Sequence, residues 1–277
     1  MRLVNGVPAQ TLALADRAFQ FGDGVFRTIK CCDGKLALWA RHYRKLCADC
    51  AVLGIAAPAE TVLLDEMRQL LGQAGWRDAV FKITVTRGES VRGYAIPAEV
   101  VHNRIVQIAP WCEYPRQGYR DGVTIRLCQM RATWQPVLAG VKHLNRLENV
   151  LARREWTDPA IFEGLLLDRD GYVLEGVMSN VIALLDGVLA TPALESGGVA
   201  GVMREVALDA ARRQGWDVAE CALPLDDFLR AERVWLCNSL LGLMPVAALE
   251  KQRWPVDEMH PLASKIKQME QEEWVSV

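Results

Sequence analysis

The sequence predicts an α+β protein of two domains, and three observations support this prediction. The dipeptides Asn5-Gly6 and Asp33-Gly34 stand between apolar segments, which is a strong short-range signal for a β-hairpin. Between positions 40 and 75, apolar residues recur with helical spacing in two consecutive patterns. The proline-bracketed segment 110–115 interrupts both kinds of periodicity and marks the expected domain boundary.

The expected N-terminal domain, residues 1–109, is the smaller one and combines antiparallel strands with two helices. Gly75 closes the second helical pattern, as glycine commonly does at a helix end. A loop over 88–97 separates the last two strands of this domain. In chain order the patterns predict strands over 2–7, 25–32 and 36–39, helices over 40–55 and 62–75, and strands over 79–87 and 104–109.

The expected C-terminal domain, residues 116–277, is larger and follows the linker 110–115. Turn dipeptides at Asp170-Gly171 and Asp186-Gly187 separate several of its apolar segments. The patterns predict a strand over 123–130, a helix over about 145–156, strands over 165–168, 180–185 and 188–191, a helix over 202–214, strands near 218, over 233–237 and near 246, and a helix from about 259.

Composition places the chain among globular enzymes and excludes several classes of partner. Of 277 residues, 51% are hydrophobic and 24% are charged, with a net charge of −2. This balance gives no basis for nucleic-acid binding or for adsorption to an anionic membrane. No apolar run is long enough to span a bilayer, and the N-terminus lacks the pattern of a signal peptide. We therefore expect a cytoplasmic protein whose eight cysteines are reduced thiols.

The sequence predicts no metal site. Cys47 and Cys50 have the spacing of half a zinc site, but they fall within a helical pattern and have no second pair of ligands, so core packing is expected. The four histidines are dispersed, without the spacing of a metal motif or of a serine-hydrolase array.

Lys142 is the first candidate for chemistry. It lies in GVKHLNRLEN, between a short apolar run and the first turn of a predicted helix, where rigid structure can hold a side chain. Partial burial lowers the pKa of a lysine and frees its amine to attack a carbonyl, which makes Lys142 a candidate Schiff-base nucleophile. The alternative from this stretch alone is an ordinary solvated lysine.

A second candidate is the glycine-rich loop 197–201, which leads directly into the helix predicted from 202. Free N–H groups and the helix dipole at such a place favour a bound phosphate. A turn without a ligand is the alternative, because a single glycine-rich loop is a weak signal.

Together these stretches resemble a known family. VKHLNRLENVLAR, DRDGYVLEGVMSN and GGVAGVMRE occur in the order and spacing of the fold type IV pyridoxal-phosphate enzymes, and the resemblance extends from ADRAFQFGDGVF to CNSLLGLMPV. That group includes branched-chain aminotransferases, D-amino-acid aminotransferases and aminodeoxychorismate lyases. KHLNRLENV and the asparagine in CNSLL are most similar to the lyases. The resemblance implies a two-domain α+β fold with pyridoxal 5'-phosphate in the interdomain cleft.

The resemblance also implies a set of cofactor-binding residues. Lys142 corresponds to the lysine that forms the Schiff base and then acts as the catalytic base, and Glu175 corresponds to the acid that faces the pyridine nitrogen. Asn180 is expected to support the ring. The amides of Val202 and Met203 and the hydroxyl of Ser239 are expected to bind the phosphate.

A cation is also expected at the phosphate. The family commonly has arginine three residues after a histidine, and in this chain Lys45 occupies that position after His42. We assign Lys45 to the phosphate, although an ammonium is a point charge without the planar fork of arginine. Arg44 is the alternative cation.

Four residues are candidates for the substrate pocket. Arg92 and Tyr94 follow a predicted strand and suit the two carboxylates of 4-amino-4-deoxychorismate, while Phe26 and Thr28 are expected to face the pocket by resemblance. The resemblance implies a homodimer and leaves open whether Arg92 serves its own subunit or the partner.

By resemblance, the reaction converts 4-amino-4-deoxychorismate to 4-aminobenzoate and pyruvate, a step toward folate. One alternative is a D-amino-acid or branched-chain aminotransferase on the same fold, because these enzymes use the same lysine and differ in pocket shape. The other alternative is a catalytically silent relative that binds a partner or a small molecule.

Overall fold

A computed structural model describes residues 1–111, 113–257 and 260–277. In chain order its strands are β1 (Arg2–Val4), β2 (Val7–Pro8), β3 (Gly24–Cys32), β4 (Lys35–Ala37), β5 (Ala79–Thr86), β6 (Asn103–Pro110), β7 (Val123–Arg131), β8 (Ile161–Leu167), β9 (Tyr172–Gly176), β10 (Asn180–Leu185), β11 (Val188–Pro192), β12 (Val218–Cys221), β13 (Leu223–Pro224), β14 (Arg233–Asn238), β15 (Gly242–Leu249), β16 (Gln252–Arg253) and β17 (Trp274–Ser276).

Its helices are α1 (Arg17–Phe21), α2 (Trp39–Leu53), α3 (Glu60–Ala74), α4 (Arg116–Asp121), α5 (Leu147–Arg153), α6 (Val202–Arg213), α7 (Leu225–Leu229) and α8 (Pro261–Glu272), together with a 3₁₀ turn at Pro136–Leu138. The mixture of helices with largely antiparallel strands is the α+β class that the sequence predicts.

The chain folds into two compact units. The first comprises residues up to 111, Val141–Asn145 and Glu273–Val277, and the second comprises Glu113–Gly140 and Arg146–Glu272. The sequence-based division instead assigned all of 116–277, with Lys142, to one C-terminal domain. The difference arises because residues 141–145 make backbone hydrogen bonds to β3, and β17 pairs with β4. The predicted linker 110–115 includes Cys112, which lies outside the described residues.

The first unit is built on a seven-stranded sheet in the order β17-β4-β3-β5-β6-β1-β2, and all of its described pairs are antiparallel. Residues alternate along β3 between a fully buried face and a half-buried face, the pattern of a strand with one side in the core. The core combines sheet and helix residues, with Phe81, Ile83, Leu46, Leu63, Met67 and Leu70 all inaccessible to solvent.

The second unit contains a ten-stranded mixed sheet. Its order is β12-β11-β10-β14-β15-β7-β8-β9-β13, with β16 paired to β15, and the pairs β7–β8, β7–β15 and β11–β12 are parallel. Phe228, Leu165, Val181 and Leu236 lie at the centre of its largest apolar cluster. Helix α6 also buries most of its length, with Val206, Ala207 and Ala210 fully covered.

The structure confirms both predicted hairpins and the helices expected over 40–55, 62–75 and 202–214, each to within a few residues. Strand β9 was not predicted, nor were the short helices α1, α4 and α7, because runs of five or six residues show too little periodicity. The last helix begins at Pro261, whereas the predicted start, Met259, lies outside the described residues.

In the part of the chain that the structure describes, no helix has both the length and the apolar character needed to cross a membrane.

Gly88 provides a test of how the loop after β5 is held. Its φ is +94°, and a Cβ there would lie 1.9 Å from the carbonyl oxygen of Val101. We expect Gly88→Ala to lower the free energy of unfolding by more than ~2 kcal/mol, because the backbone must move to relieve the collision. Gly93 has φ +105° but no atom within 4 Å of its Cβ position, so Gly93→Ala should cost only about 1 to 2 kcal/mol. Equal losses in urea denaturation would contradict this account.

Candidate active site

The segment that carries Lys142 pairs with β3 of the first unit through an isolated β-bridge between Val25 and His143. The N–H of Phe26 donates to the Lys142 carbonyl at 3.0 Å, and the N–H of Leu144 donates to the Gly24 carbonyl at 2.9 Å. Val141 is buried in the core of the same unit. These contacts continue the sheet along the open edge of β3, so the backbone of Lys142 is fixed on both sides.

Asp49 is the principal partner of this segment. Its Oδ2 accepts the backbone N–H of Lys142 at 3.1 Å, and its carboxylate forms ion pairs with Arg27 and Lys45. Asp49 and Arg27 are almost completely buried, at 1% and 2% exposure. A carboxylate at such depth is stable because cations and an N–H group replace its water.

His42 lies on the same helix as Asp49 and is also buried, with no hydrogen-bond partner for its Nδ1 among the described residues. Burial, together with the positive charges of Arg27 and Lys142, lowers the pKa of His42 to about 3. The imidazole is therefore neutral near pH 7.

The side chain of Lys142 lies against strand β3. Its Nζ is 4.6 Å from the centre of the Phe26 ring, within the range of a cation–π contact. Phe26 and Thr28 are half-buried and two residues apart, so they share one face of the strand. The structure thus brings Lys142 to the face that carries both predicted pocket residues.

Lys45 and Arg44 differ in where they lie on α2. Lys45 is half-buried and bonds to Asp49, one helical turn further along. Arg44 is exposed. Lys45, Asp49 and Lys142 therefore form one connected group.

Arg92 and Tyr94 lie on an exposed loop that is anchored by Arg17. The buried Arg17 guanidinium donates to the carbonyls of Gly93, Tyr94 and Ala95 at 3.1 to 3.3 Å. Tyr94 is 84% exposed, and its ring lies 5.2 Å from that of Phe21. Among the described residues, no hydrogen bond or ring contact joins Arg92 or Tyr94 to Lys142.

In the second unit, two predicted residues converge on one backbone position. The Glu175 Oε2 accepts the N–H of Val199 at 2.8 Å, and the Asn180 Nδ2 donates to the Val199 carbonyl at 2.7 Å. Both side chains are buried, at 5% and 6% exposure. The glycine-rich loop is therefore fixed by the acid and the amide that the sequence associates with the cofactor ring.

The same loop leads directly into the first turn of α6. Gly201 is the N-cap and makes no side-chain cap, and helix bonding to it begins with the Glu205 N–H, which leaves the amides of Val202 and Met203 outside the helix ladder. A Cβ at Gly201 would lie 2.1 Å from Asn180 Oδ1, so only glycine fits.

Ser239, the predicted hydroxyl, is half-buried in the turn between β14 and β15. The Asn238 Oδ1 accepts the N–H groups of Leu240 and Leu241, both at 2.9 Å, and fixes this turn.

Comparison with known proteins gives a family. The model of class IV aminotransferases matches residues 24–249 of this chain. The chain belongs to the class IV aminotransferase family.

Its relatives include lyases and aminotransferases. An aminodeoxychorismate lyase from Vibrio harveyi is 36% identical over 258 residues, which are 92% of this chain and 93% of that protein. A D-alanine aminotransferase from Bacillus licheniformis is 28% identical over 241 residues, 86% of this chain and 83% of that protein. The crystal structure of 4-amino-4-deoxychorismate lyase from Pseudomonas aeruginosa matches with a TM-score of 0.89 and 41% identity, over 99% of both chains.

Sequence reasoning missed three buried residues that support the segments carrying the predicted site residues. Asp49, Arg27 and Glu163 are buried ionisable residues that no motif singled out. A helical projection of α2 places Asp49 on the same face as the buried residues His42 and Leu46. Arg27 occupies the core face of an alternating strand, where a charged residue is unexpected without a buried partner.

Asp49→Asn tests the ion pairs behind Lys142. We expect a loss of about 3 to 5 kcal/mol in the free energy of unfolding, because the guanidinium of Arg27 would stay buried without its counter-charge. Asp65→Asn on α3 is the control, since its pair with Arg68 is exposed and should contribute less than about 1 kcal/mol. Urea denaturation of the two variants measures the difference, and similar small losses would contradict a stabilising role for Asp49.

His42 predicts a pH dependence of stability. Its pKa is about 3 in the folded chain against 6.5 for a solvated histidine, so between these values the unfolded chain binds a proton that the folded chain does not. Stability should therefore fall as the pH falls through this window, by about 2 kcal/mol between pH 7 and 5 from this residue. His42→Asn should remove that part of the slope. Parallel stability curves for the variant and the wild type would contradict the assignment.

Proposed function

We propose that this protein is a pyridoxal-phosphate-dependent lyase that converts 4-amino-4-deoxychorismate to 4-aminobenzoate and pyruvate in folate biosynthesis. The observation that carries the proposal is the 41% identity, over 99% of both chains, to the Pseudomonas aeruginosa lyase. The geometry around Lys142 supports it, because the amine lies on a rigid segment beside a half-buried aromatic ring.

Pyridoxal 5'-phosphate is the cofactor of this class IV enzyme, and the residues present fit its chemical groups. The amides at the start of α6 suit the phosphate, since Val202 and Met203 precede the first hydrogen bond of the helix ladder. The buried carboxylate of Glu175 suits a protonated pyridine nitrogen. When bound, the cofactor supplies an electron sink for charge that develops at the amine-bearing carbon of the substrate.

Each residue then has a distinct role. Lys142 would supply the amine for the cofactor aldehyde, Glu175 would hold the proton on the ring nitrogen, and Asn180 would support the ring. The amides of Val202 and Met203, the hydroxyl of Ser239 and the charge of Lys45 would hold the phosphate.

The proton chemistry belongs to Lys142. With substrate bound, the Lys142 Nζ would take the proton from the amine-bearing ring carbon and would return a proton to the enolpyruvyl methylene. The C–O bond to the enolpyruvyl group breaks as the ring becomes aromatic, which releases 4-aminobenzoate and pyruvate. The contact of Nζ with the Phe26 ring supports this role, because it keeps the amine on the face that Phe26 and Thr28 share.

Arg92 and Tyr94 would recognise the substrate carboxylates, and Phe26 and Thr28 would line the pocket. The exposure of Tyr94, Val91 and Ile96 supports a homodimer in which a second copy covers this loop. Whether Arg92 acts in its own subunit or in the partner follows from that assembly. The cytoplasmic location stays a prediction from sequence.

A D-amino-acid aminotransferase is the second candidate. The family description and the D-alanine aminotransferase from Bacillus licheniformis favour it, although that relative is less similar to this chain than the Vibrio harveyi and Pseudomonas aeruginosa lyases are. The same lysine would serve, because both reactions begin with removal of a proton from the amine-bearing carbon.

The decisive experiment supplies each substrate to the purified holoprotein. With 4-amino-4-deoxychorismate we expect fluorescent 4-aminobenzoate and an equal amount of pyruvate, and with D-alanine and 2-oxoglutarate little amino-group transfer. Lys142→Ala should lower the lyase rate by at least about a hundredfold, since the general base is lost. Transfer without 4-aminobenzoate would instead identify an aminotransferase.

Lys267→Ala is the matched control, because Lys267 is exposed on α8 and should leave the rate unchanged. Borohydride reduction followed by peptide mass spectrometry should place the cofactor on the peptide that contains Lys142. A protein that takes up no cofactor would be a silent relative.

A further inference from the structure

Glu163 is a buried acid to which the proposed mechanism gives no role. It lies on β8, is completely inaccessible to solvent and accepts three hydrogen bonds. Its Oε1 accepts the N–H of Gly164 at 3.1 Å, and its Oε2 accepts the N–H of Met178 at 3.2 Å and the hydroxyl of Ser179 at 3.0 Å. Two of these donors belong to a different part of the chain, so Glu163 connects β8 to the turn that follows β9.

That turn, residues 176–179, joins β9 to β10. The N–H of Gly176 donates to the Ser179 carbonyl at 2.7 Å and closes it. Glu175 immediately precedes the turn and Asn180 immediately follows it. The geometry of these four residues therefore sets the direction of two side chains that reach the backbone of Val199.

Glu163 interacts with this turn differently from its other neighbours. Asn149 Nδ2 donates to the Val177 carbonyl at 3.0 Å, and Asn238 Nδ2 donates to the Met178 carbonyl at 3.2 Å. These amides bind the acceptors of the turn, whereas Glu163 binds its donors. Space is also limited, because a Cβ on Gly176 would lie 3.2 Å from the Glu163 Cγ. Removal of the Glu163 carboxylate would therefore take away the acceptor that the Met178 N–H and the Ser179 hydroxyl use.

We propose that Glu163 is a positioning residue that fixes the turn so that Glu175 and Asn180 are held for the cofactor ring. The inference rests on the proposed function, because it concerns the residues assigned to that ring. Glu163 acts through Glu175 and Asn180, and it is not itself assigned a contact with cofactor or substrate.

The electrostatics agree with this role. Burial raises the pKa of Glu163 to about 7, and the charge of Glu175 contributes in the same direction, while the three donors oppose the shift. The bonds from the Met178 N–H and the Ser179 hydroxyl oppose the desolvation cost and hold the carboxyl group against the turn.

The test uses the full-length protein and measures cofactor binding separately from catalysis. In a titration of the apoprotein, Glu163→Ala should bind pyridoxal 5'-phosphate roughly tenfold more weakly. The reason is that the Met178 N–H and the Ser179 hydroxyl lose their acceptor, so the turn is no longer fixed. Glu163→Gln should lose less, since its amide oxygen can still serve Met178 and Ser179. With ¹⁵N-labelled cofactor, the ring nitrogen should be protonated in the wild type and should lose protonation both in Glu163→Ala and in Glu175→Gln.

Phe228→Leu controls for a loss of stability alone, since Phe228 lies in the core of the same unit. It should lower the melting temperature without changing ring protonation. If Glu163→Ala resembles Phe228→Leu in cofactor affinity and ring protonation, the positioning role is wrong. If Glu163→Ala does not fold, Glu163→Gln and Ser179→Ala decide by the same two measurements. Failure of the wild type to bind cofactor would overturn the proposed function, which separates the two outcomes.

Discussion

The position of Lys142 depends on one buried carboxylate. Asp49 bonds to the backbone N–H of Lys142 and carries the charge that allows Arg27 to be buried in strand β3. Because the bond is to the backbone, the lysine segment is fixed without using its amine, and Nζ stays on the face of Phe26. The rest of the first unit supports this arrangement by supplying the open edge of β3 on which residues 142–144 pair.

In the second unit, too, side chains fix a backbone segment, here the glycine-rich loop. Glu175 and Asn180 bond to the backbone of Val199, so side chains from outside the loop hold its backbone. The requirement for glycine at 201 follows from the close approach of Asn180. A rigid loop matters here because backbone amides bind an anion well only when their direction is already set. The acid and the amide thus bond to one residue of the loop that leads into α6.

Much of this could be predicted from the sequence. Asn5-Gly6 and Asp33-Gly34 turn where expected because these residues accept the required backbone angles without strain. The grouping of Glu175 with the glycine-rich loop was implied by motif order. Asp49 was not found, since one acid in an amphipathic helix resembles a solvated residue until its burial is known. The membership of Lys142 in the first unit could not be predicted either, because it depends on strand pairing between distant residues, which local periodicity does not encode.

Lys45 occupies the position where the family resemblance leads us to expect arginine, and its ammonium pairs with the buried Asp49 carboxylate. Lys45 and Asp49 are four residues apart, so they share one face of α2. Arg44 lies on a different face of the helix and is exposed. His42 adds no positive charge near pH 7, because its protonation is opposed by burial and by Arg27 and Lys142. Asp49 therefore pairs with two cations, the half-buried Lys45 and the buried Arg27. In the proposed site Lys45 would meet the phosphate as a point charge, with less directional selectivity than a guanidinium.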